Sequence, residues 1–182
     1  MEITRQSFSL RPLKETELGL VLNWRNDSRV REVSQSNHLI LEDEHLRWFR
    51  RMHLSPNAQL LMFEFEGRPT GCVNFTDMSD GQARWGFYLD PDQTRKGLGL
   101  KMGFLALDLA FSKMGLKVIK AEVLSSNLRG FEYHKRLGFR LERTESQVVN
   151  RGDYLIDLHH LLHQLEVWNS LKMALSTELF GH

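Results

Sequence analysis

The chain has 182 residues, of which 41% are hydrophobic and 26% charged, the proportions of one soluble globular domain. Its 24 basic and 23 acidic residues leave a formal charge of +1, which argues against a dedicated nucleic-acid-binding protein. The single cysteine, Cys72, excludes an intrachain disulfide framework, and no apolar run reaches the roughly 20 residues that span a bilayer. The first residues lack the apolar segment of a signal peptide, so we expect a cytoplasmic protein with neither nucleic acid nor membrane as partner.

Hydrophobic spacing predicts one short strand and two helices at the start of the chain. The strand covers residues 7–10 and stops at Pro12, and the helices cover residues 14–24 and 41–52. The second helix has acidic residues in its first turn and arginines in its last, as the helix dipole favours. Two helices therefore precede most of the sheet.

Three strands are predicted next, over residues 59–65, 71–76 and 84–89. The spacers between them are too short for parallel crossovers, so neighbouring strands should be antiparallel. Gly86 lies in the middle of the third strand, where an internal glycine indicates a bulge or a close backbone approach.

The remaining chain predicts an apolar helix, a strand, a second helix, two further strands and an amphipathic C-terminal helix. These cover residues 97–114, 118–124, 127–137, a strand starting at 139, 154–162 and 164–180. We assign residues 1–163 to one domain and residues 164–182 to a C-terminal helical extension of the same domain. The pattern leaves open whether that helix packs on the domain or against a second subunit in a homodimer.

The loop before the apolar helix has the composition of an anion site. Gly97 and Gly99 have no side chains to block a ligand, and the first helical turn leaves backbone N–H groups unpaired for a phosphate or pyrophosphate. Arg95, Lys96 and Lys101 add positive charge. A tightly packed helix start is the structural alternative.

A dinucleotide-binding fingerprint is a weaker interpretation of the same glycines. Gly97, Gly99 and Gly103 are followed by Glu122 at about the spacing of a ribose-binding acid. The long loop, the antiparallel strands before it and the single visible βαβ crossover argue against that fold.

Two motifs in order resemble those of the GNAT superfamily of acetyl-coenzyme A-dependent N-acetyltransferases. The pattern Q/R-x-x-G-x-G/A is matched at Gly97 and Gly99, with Thr94 in the first position. The pattern N-x-x-A-x-x-x-Y-x-x-x-G-F is matched from Asn127, with His134 at the tyrosine position. The resemblance spans about residues 8–162 and implies the GNAT fold of α+β or α/β class, a central mixed, mostly antiparallel sheet with helices on both faces.

The resemblance also implies that acetyl-CoA is the co-substrate and that no metal is needed. Backbone N–H groups of the loop and first helical turn would hold its pyrophosphate, in a set comprising Arg95, Lys96, Gly97, Leu98, Gly99 and Leu100. Its pantetheine arm would add to the edge of the third strand at Phe87, Tyr88 and Leu89, where a backbone N–H of Phe87 or Tyr88 would stabilise the oxyanion. Asn127 would lie beside the cofactor.

The predicted catalytic residues are His134, as a protonated general acid in place of tyrosine, and its neighbour Tyr133. The structural alternative is a histidine that only bonds nearby backbone. No carboxylate stands out as a general base, which leaves Glu64, Glu122 or a chain of waters.

Further segments resemble the aminosugar N-acetyltransferases of the pseudaminic acid pathway, including LNWRN at residues 22–26 and EHLRWF at residues 44–49. That resemblance implies a UDP-linked 4-amino-dideoxy sugar as the small-molecule substrate. Arg25 and His45 would contact its diphosphate and uridine, and Thr76 and Trp85 would face the cleft. Packing roles for the tryptophan and a helix-cap role for Arg25 are the alternatives.

Two competing functions stay open, an N-terminal protein acetyltransferase of the ribosomal-protein type and a GNAT-like module that binds acetyl-CoA without catalysis. His159, His160 and His163 lack the partners of a metal site, so none is predicted there. The charged runs at residues 27–31 and 47–51 are interpreted as solvated faces.

Overall fold

The computed structural model describes residues 5–93 and 95–181. Seven strands are present: β1 (Phe8–Pro12), β2 (Gln59–Phe65), β3 (Arg68–Ser79), β4 (Gln82–Leu89), β5 (Val118–Leu124), β6 (Arg140–Asn150) and β7 (Leu155–Gln164). The helices are α1 (Leu18–Asn26), α2 (Ser28–Arg31), α3 (Glu42–His53), α4 (Leu98–Ser112), α5 (Leu128–Arg136) and α6 (Leu165–Phe180). The predicted order is confirmed, and α2 is a short addition to it.

The strands form one sheet in the order β1-β2-β3-β4-β5-β7-β6, antiparallel except for the parallel pair β4–β5. Alternate residues of a strand point to opposite faces, and each face has its own core. Met62 and Cys72 belong to the cluster packed by α1 and α3, whereas their neighbours Phe63 and Val73 belong to the larger cluster packed by α4, α5 and α6. The predicted mixed, mostly antiparallel sheet with helices on both faces is confirmed.

Strands β4 and β5 pair over only three residues and then diverge. Their register joins Gln82 to Val118 and ends where Arg84 meets Lys120, although β5 continues to pair with β7 as far as Leu124. The register of β3 with β4 is continuous across Gly86, so the bulge predicted there does not interrupt that ladder. The divergence opens a wedge, called here the splay, along the β5-facing edge of β4 from residue 85 to residue 89.

Helix α6 packs on the same domain as the rest of the chain. Its Trp168, Leu175 and Phe180 are buried in the larger core cluster, where the Trp168 ring lies 5.1 Å from that of Phe104 on α4. Within the part of the chain that the structure describes, no helix is long and apolar enough to cross a membrane.

Candidate active site

A cavity of about 460 Å³ lies between the sheet and the helices α1 and α3, next to the splay. That volume is within the range of small-molecule sites. The lining side chains come from α1, the loop before α3, α3, β3 and β4: Arg25, Ile40, Glu44, His45, Arg47, Trp48, Arg51, Asn74 and Tyr88. Arg25 and His45, which the sequence placed at the substrate, are thus brought together.

Arg25 and His45 each hold a buried nitrogen without a hydrogen-bond partner among the described residues, namely Arg25 Nη1 and His45 Nε2. Burial lowers the pKa of both groups, and for His45 the nearby Arg25 charge lowers it further. An unpaired buried polar nitrogen costs free energy unless a ligand or water binds it. The wall of the cavity therefore contains two buried nitrogens whose hydrogen-bonding capacity is unused among the described residues.

Aromatic and amide groups complete the wall of the cavity. The His45 and Trp48 rings stack at 5.4 Å between centroids, which orients the imidazole. Burial raises the pKa of the Tyr88 phenol and that of the Cys72 thiol, the latter to about 12. The Cys72 side chain is therefore a neutral packing group beneath the cavity.

The cavity has a cationic lining. Arg25, Arg47 and Arg51 all contribute to it, and the one acidic side chain among the lining residues, Glu44, is bridged to His38 at 3.0 Å. The interpretation of residues 47–51 as a solvated face is therefore incomplete, because Arg47 and Arg51 also line the cavity. The Arg47 side chain is 69% exposed and pairs with Asp43, so its charge is partly offset. An anionic ligand suits this lining better than a polycation.

The loop over residues 32–41 contributes Ile40 to the cavity wall and is held mainly by polar contacts. Arg25 Nη2 donates to the Ser36 carbonyl at 2.8 Å, and Asn26 exchanges two hydrogen bonds with the backbone of Ile40. From the far side, Arg151 donates to the carbonyls of Ser34 and Gln35, the latter at 3.0 Å. The loop thus joins α1 to the β6–β7 turn across the sheet.

Of the two candidate bases, only Glu122 lies at the splay. It accepts hydrogen bonds from Gln35 and from Arg84 at 3.1 Å, and Arg84 is the last β4 residue paired with β5. Glu64 lies on β2, where it accepts from Arg11 at 2.8 Å and pairs in register with Ser9 of β1. Its role is to hold the β1 edge, away from the splay.

The predicted anion loop leads into α4 through Gly97, whose φ of 84° is left-handed and favours glycine. The Arg95 guanidinium lies 4.6 Å from the Phe65 ring, and the Lys101 ammonium lies 5.0 Å from the Phe8 ring. Burial and the charge of Arg95 lower the pKa of Lys101. Arg95, Lys96 and Gly97 are exposed, Leu98 is buried, and Gly99 and Leu100 are half-buried; Thr94 lies outside the described residues.

Tyr133 joins α5 to the first turn of α4. Its hydroxyl donates to the Gly99 carbonyl at 2.9 Å, and burial raises the pKa of the phenol. A Cβ on Gly103 would lie 2.4 Å from the Tyr133 hydroxyl oxygen, so glycine is required for the two helices to approach. These contacts give Tyr133 a packing role, and its predicted catalytic role stays a prediction.

His134 is buried in an aromatic cluster with both ring nitrogens engaged. Nδ1 lies 2.7 Å from the Gly130 carbonyl oxygen and so must donate to it, which leaves Nε2 to accept from Trp85 Nε1 at 3.2 Å. Burial lowers the pKa of His134 to about 4, so the ring is neutral near pH 7. This geometry matches the backbone-bonding alternative and does not favour the predicted role as a protonated general acid.

The other predicted contacts divide between the two faces of the sheet. Trp85 is buried on the α5 face, stacked at 5.1 Å on Phe139, so the arrangement does not support its predicted contact with the acceptor. Thr76 is half-buried opposite Arg84 in the β3–β4 register and is not part of the cavity lining. Phe87 and Leu89 lie on β4 along the splay.

Asn127 caps α5. Its Oδ1 accepts from the Gly130 backbone N–H at 2.8 Å. A Cβ on residue 130 would lie 2.4 Å from Asn127 Nδ2, so this arrangement of the cap requires the glycine that this chain has where the motif has alanine. A cofactor contact of Asn127 remains a prediction.

The three clustered histidines have separate environments, and the described residues include no group of His, Cys, Asp and Glu side chains placed to hold a metal. His159 bonds Thr144, and His160 lies between two glutamates. His163 is fully buried against Phe111 and Phe139, and burial lowers its pKa to about 4.

The buried imidazoles predict an acid-sensitive fold. His134 and His163 have folded-state pKa values near 4, below the unfolded value of about 6.5, so the unfolded state binds more protons between these values. The contribution of these two histidines to the free energy of unfolding is therefore fully present above pH 6.5 and is lost as the pH falls toward 4. Urea unfolding should show a loss of roughly 1–2 kcal/mol per histidine from pH 7 to pH 5.

His163→Leu should remove about half of this pH dependence, because it removes one of the two histidines with a lowered pKa. The change breaks no hydrogen bond among the described residues, since both nitrogens of His163 lack partners there. The exposed His53 is the matched control, and His53→Gln should keep the full dependence. Equal slopes for all three proteins between pH 5 and 7 would contradict the assignment.

Sequence reasoning missed several cavity residues. Asn74 and Glu44 were given no site role, and Arg47 and Arg51 were interpreted as part of a solvated face. Polar residues at positions i, i+3 and i+7 of a helix, as in α3, look alike whether they face solvent or a cavity. The aromatic side chains His45 and Trp48 on the adjoining face of α3 were the signal in the sequence that could have pointed to these cavity residues.

The fold and the site together define an acetyltransferase, and the chain belongs to the acetyltransferase (GNAT) domain family, whose sequence pattern matches residues 8–140. Among characterised proteins, it is similar to the acetyltransferase PseH of Campylobacter jejuni. The two are 24% identical over 129 residues, which cover 71% of this chain and 80% of PseH.

Solved structures show the same fold. The spermidine N-acetyltransferase of Vibrio cholerae, in complex with CoA and spermine, superposes with a TM-score of 0.83 at 16% identity, covering 90% of this chain and 99% of that chain. The yncA protein of Salmonella typhimurium, with acetyl-CoA, gives a TM-score of 0.72 at 24% identity, covering 87% and 94%. These likenesses establish the fold that the motifs predicted.

Proposed function

We propose that this acetyltransferase moves the acetyl group of acetyl-CoA to the 4-amino group of a UDP-linked amino-dideoxy sugar. The observation that carries the proposal is the pair of unpartnered nitrogens, Arg25 Nη1 and His45 Nε2, in a cationic cavity beside the splay. A guanidinium binds a diphosphate through paired, charge-assisted hydrogen bonds, so Arg25 would contact the diphosphate and His45 the uridine. The likeness to PseH supports the same acceptor class.

The residues present fit acetyl-CoA as the acetyl donor. The exposed loop of Arg95, Lys96 and Gly97 offers positive charge and the unpaired N–H groups of the α4 start to a pyrophosphate. The β5-facing edge of β4 has no strand partner beyond Arg84, so a pantetheine arm can pair with it as an added strand. Asn127 is the N-cap of α5 and follows β5, the strand that diverges from β4 at the splay. Bound there, acetyl-CoA supplies an activated thioester.

The chain's contribution to the transfer is orientation and charge stabilisation. Free N–H groups of β4 near Phe87 and Tyr88 would donate to the carbonyl oxygen as it becomes negative. In the transfer a C–N bond forms as a C–S bond breaks. The attacking amine loses one proton and the CoA thiolate gains one, so the step is balanced. Tyr133 and His134 would shape the wall of the splay through their bonds to Gly99 and Gly130.

The same cavity distinguishes this acceptor from the polyamines named for the Vibrio enzyme. Spermidine carries several positive charges, and a lining with three arginines would repel it.

Release of free CoA thiol should be measured with a panel of amines: UDP-linked 4-amino sugars, spermidine and N-terminal peptides. We expect thiol release with the UDP-linked amines at least tenfold faster than with the others. Faster turnover of a peptide would support the protein N-terminal alternative. Binding of acetyl-CoA without turnover of any amine would support the inactive module.

A further inference from the structure

A second polar cluster lies on the acceptor side of the sheet, outside the cavity lining. The His160 imidazole stands between two carboxylates, with Nδ1 3.5 Å from Glu122 Oε1 and Nε2 3.1 Å from Glu145 Oε2. The three residues belong to neighbouring strands β5, β7 and β6. They form a continuous line of titratable groups that starts at the splay.

The exposure of the three side chains increases outward along this line. Glu122 and His160 are 15% and 14% exposed, whereas Glu145 is 45% exposed. The line therefore leads from a partly enclosed carboxylate to one in open solvent.

The inner end of the line is close to the acceptor cavity. Gln35 donates to Glu122, and the carbonyl of the next residue, Ser36, accepts from Arg25. Adjacent Cα atoms are about 3.8 Å apart, so the Glu122 carboxylate and the Arg25 guanidinium contact two consecutive residues of the loop over residues 32–41. A ligand whose anionic part binds Arg25 can place an amine near Glu122.

From this geometry we infer that Glu122, His160 and Glu145 form a proton path that removes the proton of the acceptor ammonium. The inference rests on the proposed function. Glu122 takes a proton from the ammonium, leaving the neutral amine that attacks the thioester. Glu122 passes that proton to His160 Nδ1, and the Nε2 proton leaves through Glu145 to water. Solvent exchange then restores the starting tautomer.

Charged neighbours surround the path on every strand that faces it. Arg84 bonds Glu122 from β4 and lies 3.7 Å from Asp77, which partly offsets its charge. Arg143 on β6 donates to Glu145 at 3.1 Å and lies 3.5 Å from His160 Nδ1. Hydrogen bonds from Arg143 and His160 hold the pKa of Glu145 below its usual range, so this outer carboxylate is ionised near pH 7.

The test compares His160→Gln with His159→Gln, a matched control on the same strand. The His159 ring points to the other face, 5.3 Å from the Phe131 ring, and bonds Thr144. Turnover of a UDP-linked 4-amino sugar should be measured from pH 6 to pH 9. Glu145→Gln is the second variant, because its exposed site tolerates the change.

We expect His160→Gln to lower kcat about tenfold at pH 7 with little change in the KM for acetyl-CoA, and the deficit to shrink toward pH 9. Glu145→Gln should show a smaller deficit with the same pH trend, and His159→Gln should match the unmodified protein. An active protein whose His160→Gln and Glu145→Gln variants keep its kcat and pH profile would refute the proton path alone. An unmodified protein that acetylates no UDP-linked amine would refute the proposed function and the path with it.

Discussion

Replacing Arg25 by glutamine should lower kcat/KM for the UDP-linked amine by roughly 30- to 1000-fold, the loss expected for about 2–4 kcal/mol of buried charge pairing. The reason is that Arg25 lines the cavity and that its buried Nη1 atom has no hydrogen-bond partner among the described residues. The KM for acetyl-CoA should stay within about twofold, because the loop at Arg95–Gly97 lies outside that cavity. Steady-state kinetics with each substrate varied in turn would separate the two effects.

The matched control for this change is Arg50→Gln on α3. Arg50 is 60% exposed and pairs with Glu15 at 2.8 Å, so its loss should leave kcat/KM unchanged and cost little stability. The Arg25 variant loses the hydrogen bond to the Ser36 carbonyl but also removes a guanidinium whose burial is unfavourable without a ligand, so its stability should stay within about 1 kcal/mol of the parent's. Loss of activity that follows loss of thermal stability would contradict a binding role for Arg25.

Replacing Trp168 by alanine should lower the free energy of unfolding by about 3–5 kcal/mol. The indole is 1% exposed and packs against Phe104, Phe111 and His163. Its Nε1 has no hydrogen-bond partner in the described structure, so packing is the main interaction that the change removes. Urea unfolding followed by circular dichroism would measure the loss.

Met173 on the same helix is the control, because it is 76% exposed and Met173→Ala should change stability by no more than about 0.5 kcal/mol. If Trp168→Ala cost less than about 1 kcal/mol, α6 would be a loosely attached extension instead of part of the core. We expect the larger loss because α6 packs in the larger core cluster and should unfold together with the rest of the domain.

Most of the fold could be predicted from hydrophobic spacing, because helices and strands repeat their apolar residues with different periods. β5 was predicted over the residues observed, and α4 was recognised because apolar residues surround it on nearly all sides. β3 extends beyond its predicted ends to Arg68 and Ser79, since those residues are ordered by pairing with β2 and β4 and not by their own apolar pattern.

The site was less predictable, because it depends on which sheet face each strand residue adopts. Trp85 and Tyr88 are three residues apart and must lie on opposite faces, and only the packed structure shows that Tyr88 faces the acceptor cavity. The surroundings of Glu122 come from three separate segments, which no local spacing can reveal. Arg25 and His45 were anticipated only through resemblance to a family.

The most direct test is the ratio of kcat/KM for a UDP-linked 4-amino sugar to that for the same amino sugar without the nucleotide. The cationic cavity with its unpaired Arg25 and His45 nitrogens predicts a ratio of at least about 100, since phosphate contacts would supply several kcal/mol of binding. Equal kcat/KM values for the two sugars, with acetyl transfer to both, would show that the cavity does not bind the nucleotide and would contradict the proposed acceptor.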